Sequence, residues 1–328
     1  MKKLKIVIIG AGSRANQVIY PSFADLREAG EVEIAGICDI DMARLKNTAD
    51  KYGIEKRYGE GGVHDYKRMV ADLEPDAAVV IGQPHIMYDI WMWCLVNGLH
   101  LYIEKPLALT IHQARALTAV AERNNLVTQV SLQRRYSPMV TAMRDECLKR
   151  GPITHATCKF YKCEIEDFIG ARDHMMDDTV HAIDTLRWIT GSEVAKVDSV
   201  TRRIGTVDIN FVMAQLTFES GAVGHLMNNW SSGKRIFSVE MHAPGIFAEA
   251  EHETKGYIYA DGNLQGVEYT ATGSAHSDAF YINTGVLAAA ADFVHCCKSG
   301  GRPMSSFSDT VKTMRVAEII LAQSLLAE

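Results

Sequence analysis

Three groups of residues in this 328-residue sequence have side chains whose type and spacing could do chemistry. The first lies in Asp173-His174-Met175-Met176-Asp177-Asp178-Thr179-Val180-His181-Ala182-Ile183-Asp184. On a helix, Asp177, His181 and Asp184 would share one face at i, i+4 and i+7. An imidazole with a carboxylate one turn earlier is an acid/base couple. The same pair could chelate a metal, but no third or fourth ligand accompanies it at a suitable spacing, so no metal is expected. A satisfied core histidine is the other reading of His181. Asp173 and His174 read as loop residues at the border of the site.

The second group is Glu104-Lys105-Pro106. A lysine ammonium at a strand end can hydrogen-bond a substrate hydroxyl and favour its alkoxide as hydride departs. Pro106 restricts Lys105 to an extended backbone and so limits where the amine points. The third group is Gly10-Ala11-Gly12-Ser13-Arg14-Ala15, with Asp39 placed 24 residues beyond Ala15. Gly10 permits a tight turn, Gly12 lets a pyrophosphate approach the backbone, and Ala15 lets a helix pack closely. The amides opening that helix, at Ser13 and Arg14, would face the phosphates. Asp39 would take the adenosine ribose hydroxyls. Ile40 and Asp41 follow it, with no cation to hold a 2′-phosphate. NAD is therefore expected, with NADP the less favoured cofactor.

Stepping outward, these residues need a scaffold that brings strand ends together. Ile6 to Ile9 form an unbroken apolar run, as in a strand buried on both faces of a parallel sheet. Further strands are expected at 32–38, 77–82, 100–103 and 126–132. Helices are expected at 14–29 (interrupted by Pro21), 41–52, 65–73, 86–96 and 110–122. That alternation means an α/β, doubly wound, mostly parallel sheet, with ligands beyond the strand carboxyl ends. Gln83-Pro84 and Glu104-Lys105 stand at two such ends. After about Ser131 the rhythm changes. Helices at 138–150 and 178–190 accompany strands at 154–161, 194–203, 210–219, 223–230, 235–242, 257–260 and 266–270. Helices at 283–298 and 309–326 follow. The second part reads as an α+β domain with a large, mostly antiparallel sheet. The expected division is 1–130 for the nucleotide domain and 131–328 for substrate binding and oligomerisation.

The bulk composition narrows the function. Hydrophobic residues make up 47% and charged residues 23%, as in ordinary globular proteins. A net charge of −6 offers no broad basic field for nucleic acid. No apolar run is long enough for a bilayer span or a signal-peptide core, so no membrane is expected and the location expected is cytoplasmic. The seven cysteines are scattered without zinc-like pairs and read as reduced thiols.

Taken together, the glycine loop, Asp39, Gln83-Pro84, Glu104-Lys105-Pro106-Leu107-Ala108-Leu109-Thr110, Gln133-Arg134-Arg135-Tyr136 and Asp177-x-x-x-His181-x-x-Asp184 resemble a known family. It is the glucose–fructose oxidoreductase / inositol dehydrogenase / rhizopine catabolism (Gfo/Idh/MocA) family, and the resemblance spans the whole chain. It implies an NAD(P)-dependent sugar or cyclitol oxidoreductase with a Rossmann domain followed by an α+β domain. It also implies Lys105, Asp177 and His181 as the catalytic trio, with His181 the general acid/base. Cofactor contacts are expected from Gly10, Gly12, Ser13, Arg14, Asp39, Gln83, Pro84, Tyr88, Glu104 and Lys105. Substrate contacts are expected from Lys105, Arg135, Tyr161, Asp178, His181 and Trp230.

The chain departs from the family pattern in places. Gln83 and Tyr88 stand where Thr and His are commoner, Thr179 replaces a usual glycine, and Gln133 replaces a common Asn. The expected reaction is hydride transfer between a sugar or polyol CH–OH and the nicotinamide, with the Lys105 amine and the His181 imidazole meeting at one bound ring. Two alternatives stay open: bound NAD used in a transient oxidation with no net redox change, or a non-catalytic NAD-binding sensor. A metal-assisted isomerase or lyase is a further one. A homodimer or homotetramer assembled through the antiparallel sheet is also expected.

Overall fold

The computed structural model describes residues 2–166 and 173–326. They divide into two compact units, one of residues 1–131 with 286–311, the other of 132–285 with 312–328. The expected division places everything after residue 130 in one domain. By contacts, the segment 286–311 groups with the first unit. The reason is visible in its bonds: Gln129 donates to the Ala289 carbonyl, and Ser305 donates to Val130 and accepts through its own carbonyl from Val130 N–H.

The first unit is a six-stranded parallel sheet in the order β3-β2-β1-β4-β5-β6. Its strands are β1 (Leu4–Ile9), β2 (Val32–Cys38), β3 (Arg57–Tyr58), β4 (Ala77–Val80), β5 (His100–Ile103) and β6 (Thr128–Val130). Ile6, Val7 and Ile8 are fully buried, as an apolar run with helices on both faces requires. Strand order reverses between β1 and β4, which is where an open α/β sheet leaves its ligand crevice. Helix Met42–Tyr52 starts on the Asp41 side chain, which accepts from Ala43 and Arg44 N–H, and stops at left-handed Gly53. The expected helix over 14–29 is instead a π-helical turn, Ala15–Ile19, leading into the α-helix Tyr20–Glu28. Pro21 falls in the first turn of the α segment, where its missing N–H costs little, rather than breaking the helix.

The second unit is built on an eight-stranded sheet in the order β14-β13-β12-β11-β7-β10-β9-β8. The strands are β7 (His155–Cys163), β8 (Val194–Arg202), β9 (Phe211–Phe218), β10 (Val223–Asn229), β11 (Ser231–Ala243), β12 (Ile246–Glu251), β13 (Lys255–Ala260) and β14 (Val267–Thr270). Every pairing is antiparallel except β7 with β10. The two-residue β3 and the strand β12 were not foreseen. Along β9 and β10, and from Ile236 onward in β11, burial alternates residue by residue, so one face of the sheet is inward and the other is open. Helix Val180–Thr190 packs against β7 and β10. All but one of its residues from Val180 to Ile189 are buried.

Candidate active site

In the first unit, β1 ends in the glycine loop. Gly10 holds φ +104°, a conformation that side-chain-bearing residues avoid, and a Cβ there would overlap the Ile81 carbonyl oxygen. Gly12 is different, since a Cβ on it would meet nothing within 4 Å. The loop is therefore tight beneath Gly10 and open at Gly12, as a phosphate cradle must be. Asp39, at the end of β2, accepts from Ala11 N–H at 2.6 Å and from Asp41 N–H at 2.7 Å. Its carboxylate thus stands directly beside the loop. These residues fit a dinucleotide.

Asn16 was not among the expected site residues, yet it holds the loop's shape. Its amide donates to the Ala11 and Gly12 carbonyls at 2.8 and 3.3 Å and to the Thr48 hydroxyl at 2.9 Å. Tyr20 adds a hydrogen bond to the Gly10 carbonyl at 3.1 Å. An Asn one position after Ala15 was the available signal.

At the end of β5, buried Glu104 accepts from Arg14 Nε at 3.1 Å through one oxygen and faces Lys105 N–H at 3.3 Å through the other. Glu104 and Arg14 therefore tie the glycine loop to the strand that carries Lys105. The Lys105–Pro106 peptide bond is cis. Gln83 is exposed at the end of β4, Pro84 opens the helix Pro84–Val96, and Tyr88 lies half-buried one turn along it.

The second unit carries His181, buried in the helix Val180–Thr190. Asp177 sits just before it, in the π-helical turn Met175–Thr179. The expected single α-helical face over Asp177, His181 and Asp184 is therefore corrected, because a π turn changes the rotation per residue. Such turns recur at functional sites. Asp184 is committed elsewhere: it accepts a fork of hydrogen bonds from Arg135, one of them at 2.8 Å, and a third from the Thr313 hydroxyl at 3.1 Å. Arg135 is buried with it. Its guanidinium is spent on this pair, so the expected substrate contact by Arg135 is not what its geometry serves.

Two other expected residues come together. Trp230, fully buried, donates its indole N–H to Asp178 at 2.9 Å. Lys162 places its ammonium 2.7 Å from Asp178 and 3.2 Å from Glu164. The His174 ring stacks on Trp230 with centroids 4.6 Å apart. Tyr161 does not join this cluster. Its neighbours Cys158 and Phe160 are on the inward side of β7, and the Tyr161 hydroxyl reaches Met227 Sδ at 3.0 Å. The period-two alternation of a strand gives the inward place to Lys162, a residue outside the expected contacts.

Glu164, His174 and Asp178 bring ligand atoms within 4.8 Å of one another. The cation among them here is the Lys162 ammonium, paired with both carboxylates. Burial lowers the His174 pKa, partly offset by Asp178, Glu164 and Asp208. Burial raises the Asp173 pKa, although its carboxylate accepts from Met176 N–H at 2.7 Å. Both shifts describe a polar cluster shielded from water.

Comparison with known proteins is consistent along the chain. Residues 4–132 match a family model described as an oxidoreductase family with an NAD-binding Rossmann fold. Residues 153–243 match the GFO/IDH/MocA C-terminal domain. Myo-inositol 2-dehydrogenase of Thermotoga maritima is 23% identical over 248 residues, 72% of this chain and 70% of its own. The rhizopine catabolism protein MocA of Rhizobium meliloti is 25% identical over 331 residues, 97% of this chain and 94% of its own. Among solved structures, a dehydrogenase from Chromobacterium violaceum superposes with a TM-score of 0.87 at 18% identity, covering 100% of this chain and 98% of that one.

Proposed function

Because the chain belongs to the GFO/IDH/MocA oxidoreductase family and its first unit is an NAD-binding Rossmann domain, we propose that it is an NAD-dependent dehydrogenase of a sugar, sugar derivative or cyclitol. The observation that carries this reading is the glycine loop of the first unit, open at Gly12 and flanked by the Asp39 carboxylate; the second unit supplies a buried histidine, His181, on its helix. Bound NAD supplies the hydride acceptor. His181 takes the proton of the substrate hydroxyl and returns it in the reverse direction. Asp177, just ahead of it in the chain, keeps the imidazole in the protonation state this requires. The Lys105 ammonium stabilises the developing oxyanion. Asp39 favours NAD over NADP, since a 2′-phosphate would meet a carboxylate there.

The open face of the second sheet carries half-exposed Val200 and Met213 on adjacent strands, and we propose that a second copy of the chain covers it. Light scattering that reports a monomer at working concentration would remove that part.

The activity itself is tested by incubating the intact chain with NAD and a panel of inositols, aldoses and glycosides while following NADH and product mass together. NADH formed in step with a keto product is the expected result. Product without NADH would replace the dehydrogenase by a transient oxidation. Cofactor binding with no product from any member would leave only a binding protein.

A further inference from the structure

The inward face of the second sheet ends in one polar side chain that the proposed chemistry leaves unused. Asn228 on β10 lies in register with Phe160 of β7 and Val212 of β9, both buried. It is itself fully buried, and among the described residues neither its amide oxygen nor its amide nitrogen has a hydrogen-bond partner. Burying a polar atom without a partner forfeits its hydration with nothing in return, so native chains rarely keep two on one side chain. By strand alternation Asn228 shares its face with Trp230, whose indole is bonded to Asp178. The orphan amide therefore belongs to the same end of the unit as Asp177, Asp178 and His181.

Among the described residues, carboxylates outnumber cations around that end. Asp178, Glu164 and Asp208 all act on His174, and Asp173 is acted on by Asp177 and Asp208. Facing these five carboxylates is the Lys162 ammonium. Among the described residues, the next cations, Arg134 and Arg235, share Glu253: Arg134 lies 3.8 Å from it and Arg235 makes two hydrogen bonds to it. Such a field repels a phosphate or carboxylate substrate. An amide, in contrast, offers both a donor and an acceptor, which is the complement of a hydroxyl and not of a carboxylate.

Resting on the dehydrogenase reading above, we propose that this end of the second unit admits only substrates without an anionic group, and that Asn228 reads one of their hydroxyls. The Asn228 amide then gains partners only when a polyol is bound. A site built to pair a hydroxyl discriminates strongly against ligands that cannot supply it, because its buried polar groups are left unpaired.

Equilibrium binding tests this apart from turnover. Calorimetric titrations of the NAD-loaded chain would use myo-inositol, glucose, glucose 6-phosphate and glucuronate as probes. At least one neutral probe should bind ten times or more tightly than both anions. Asn228→Leu should weaken that binding tenfold or more while raising Tm, because the orphan amide is gone, and Asn228→Ser should restore part of the affinity. A raised Tm with unchanged affinity would make Asn228 a structural residue and overturn the proposal. So would anions binding as tightly as the neutral probes, or no neutral probe binding at all. Turnover, followed separately, bears on the dehydrogenase reading, so the two can fail independently.

Discussion

A buried histidine is an ordinary core residue unless its surroundings give a proton somewhere to go. His181 and Arg135 illustrate the two outcomes, since both are buried polar groups of the second unit. Arg135 is closed off by Asp184, in a pair that also takes the Thr313 hydroxyl. His181 instead follows the π turn that carries Asp177 and Asp178, the latter bonded to Lys162 and Trp230. The two should therefore respond differently to truncation. Arg135→Met leaves a buried carboxylate without its partner and should cost about 3–5 kcal/mol, read as a lower urea midpoint. His181→Ala and Lys105→Met should leave the midpoint nearly unchanged, and His181→Ala should leave NAD affinity intact. Each should lower kcat by roughly a hundredfold or more, the usual contribution of one positioned acid/base or oxyanion-stabilising group. Full activity in His181→Ala would remove it from the mechanism.

At the scale of elements, the two units each begin their functional helix with a π-helical turn, Ala15–Ile19 in one and Met175–Thr179 in the other. In the first case the cause is local, because Pro21 cannot donate to the preceding turn and the ladder adjusts ahead of it. The glycine loop that leads into it separates fold from function at two positions. Gly10→Ala puts a methyl into the Ile81 carbonyl at a positive φ, and should lower both Tm and NAD affinity. Gly12→Ala meets open space, so Tm should stay within about a degree or two while NAD affinity falls at least tenfold. Fluorescence titration with NAD beside a melting curve distinguishes them. A Gly12→Ala chain that binds NAD like the parent would mean that the phosphates lie elsewhere.

The whole molecule also has a pH dependence written into its second unit. His252 is fully buried, its Nε2 sits 3.3 Å from the Arg134 carbonyl, and burial with the nearby Arg134 guanidinium lowers its pKa to about 3. In the unfolded chain a histidine titrates near 6.5. Between these values the unfolded chain binds a proton that the folded chain does not, so stability falls as pH drops. The slope from this residue approaches about 1.4 kcal/mol per pH unit below 6.5 and vanishes above it. His174, His100 and His155 are shifted in the same direction by burial and add to it. Urea midpoints at pH 7, 6 and 5 should decline accordingly, and His252→Gln should flatten the decline. A midpoint independent of pH over that range would show that His252 is protonated without cost. Among the described residues, no helix is long and apolar enough to cross a membrane.

The glycine loop and the first strands of the nucleotide unit are legible in the sequence, because their signals are local. An apolar strand, two glycines and an acid at fixed spacing already specify a turn, a helix start and a charge, and β1, β2 and Asp39 follow. The sequence also marked Asp178 and Trp230 as residues worth weighing. Only the tertiary structure decided that these two are bonded to each other, that Lys162 rather than Tyr161 faces them, and that Arg135 is spent on Asp184. Those outcomes depend on which strand lies beside which and on which side each residue faces. Strand order in the second sheet is not sequential, with β7 placed between β11 and β10, and no local pattern encodes that neighbourhood.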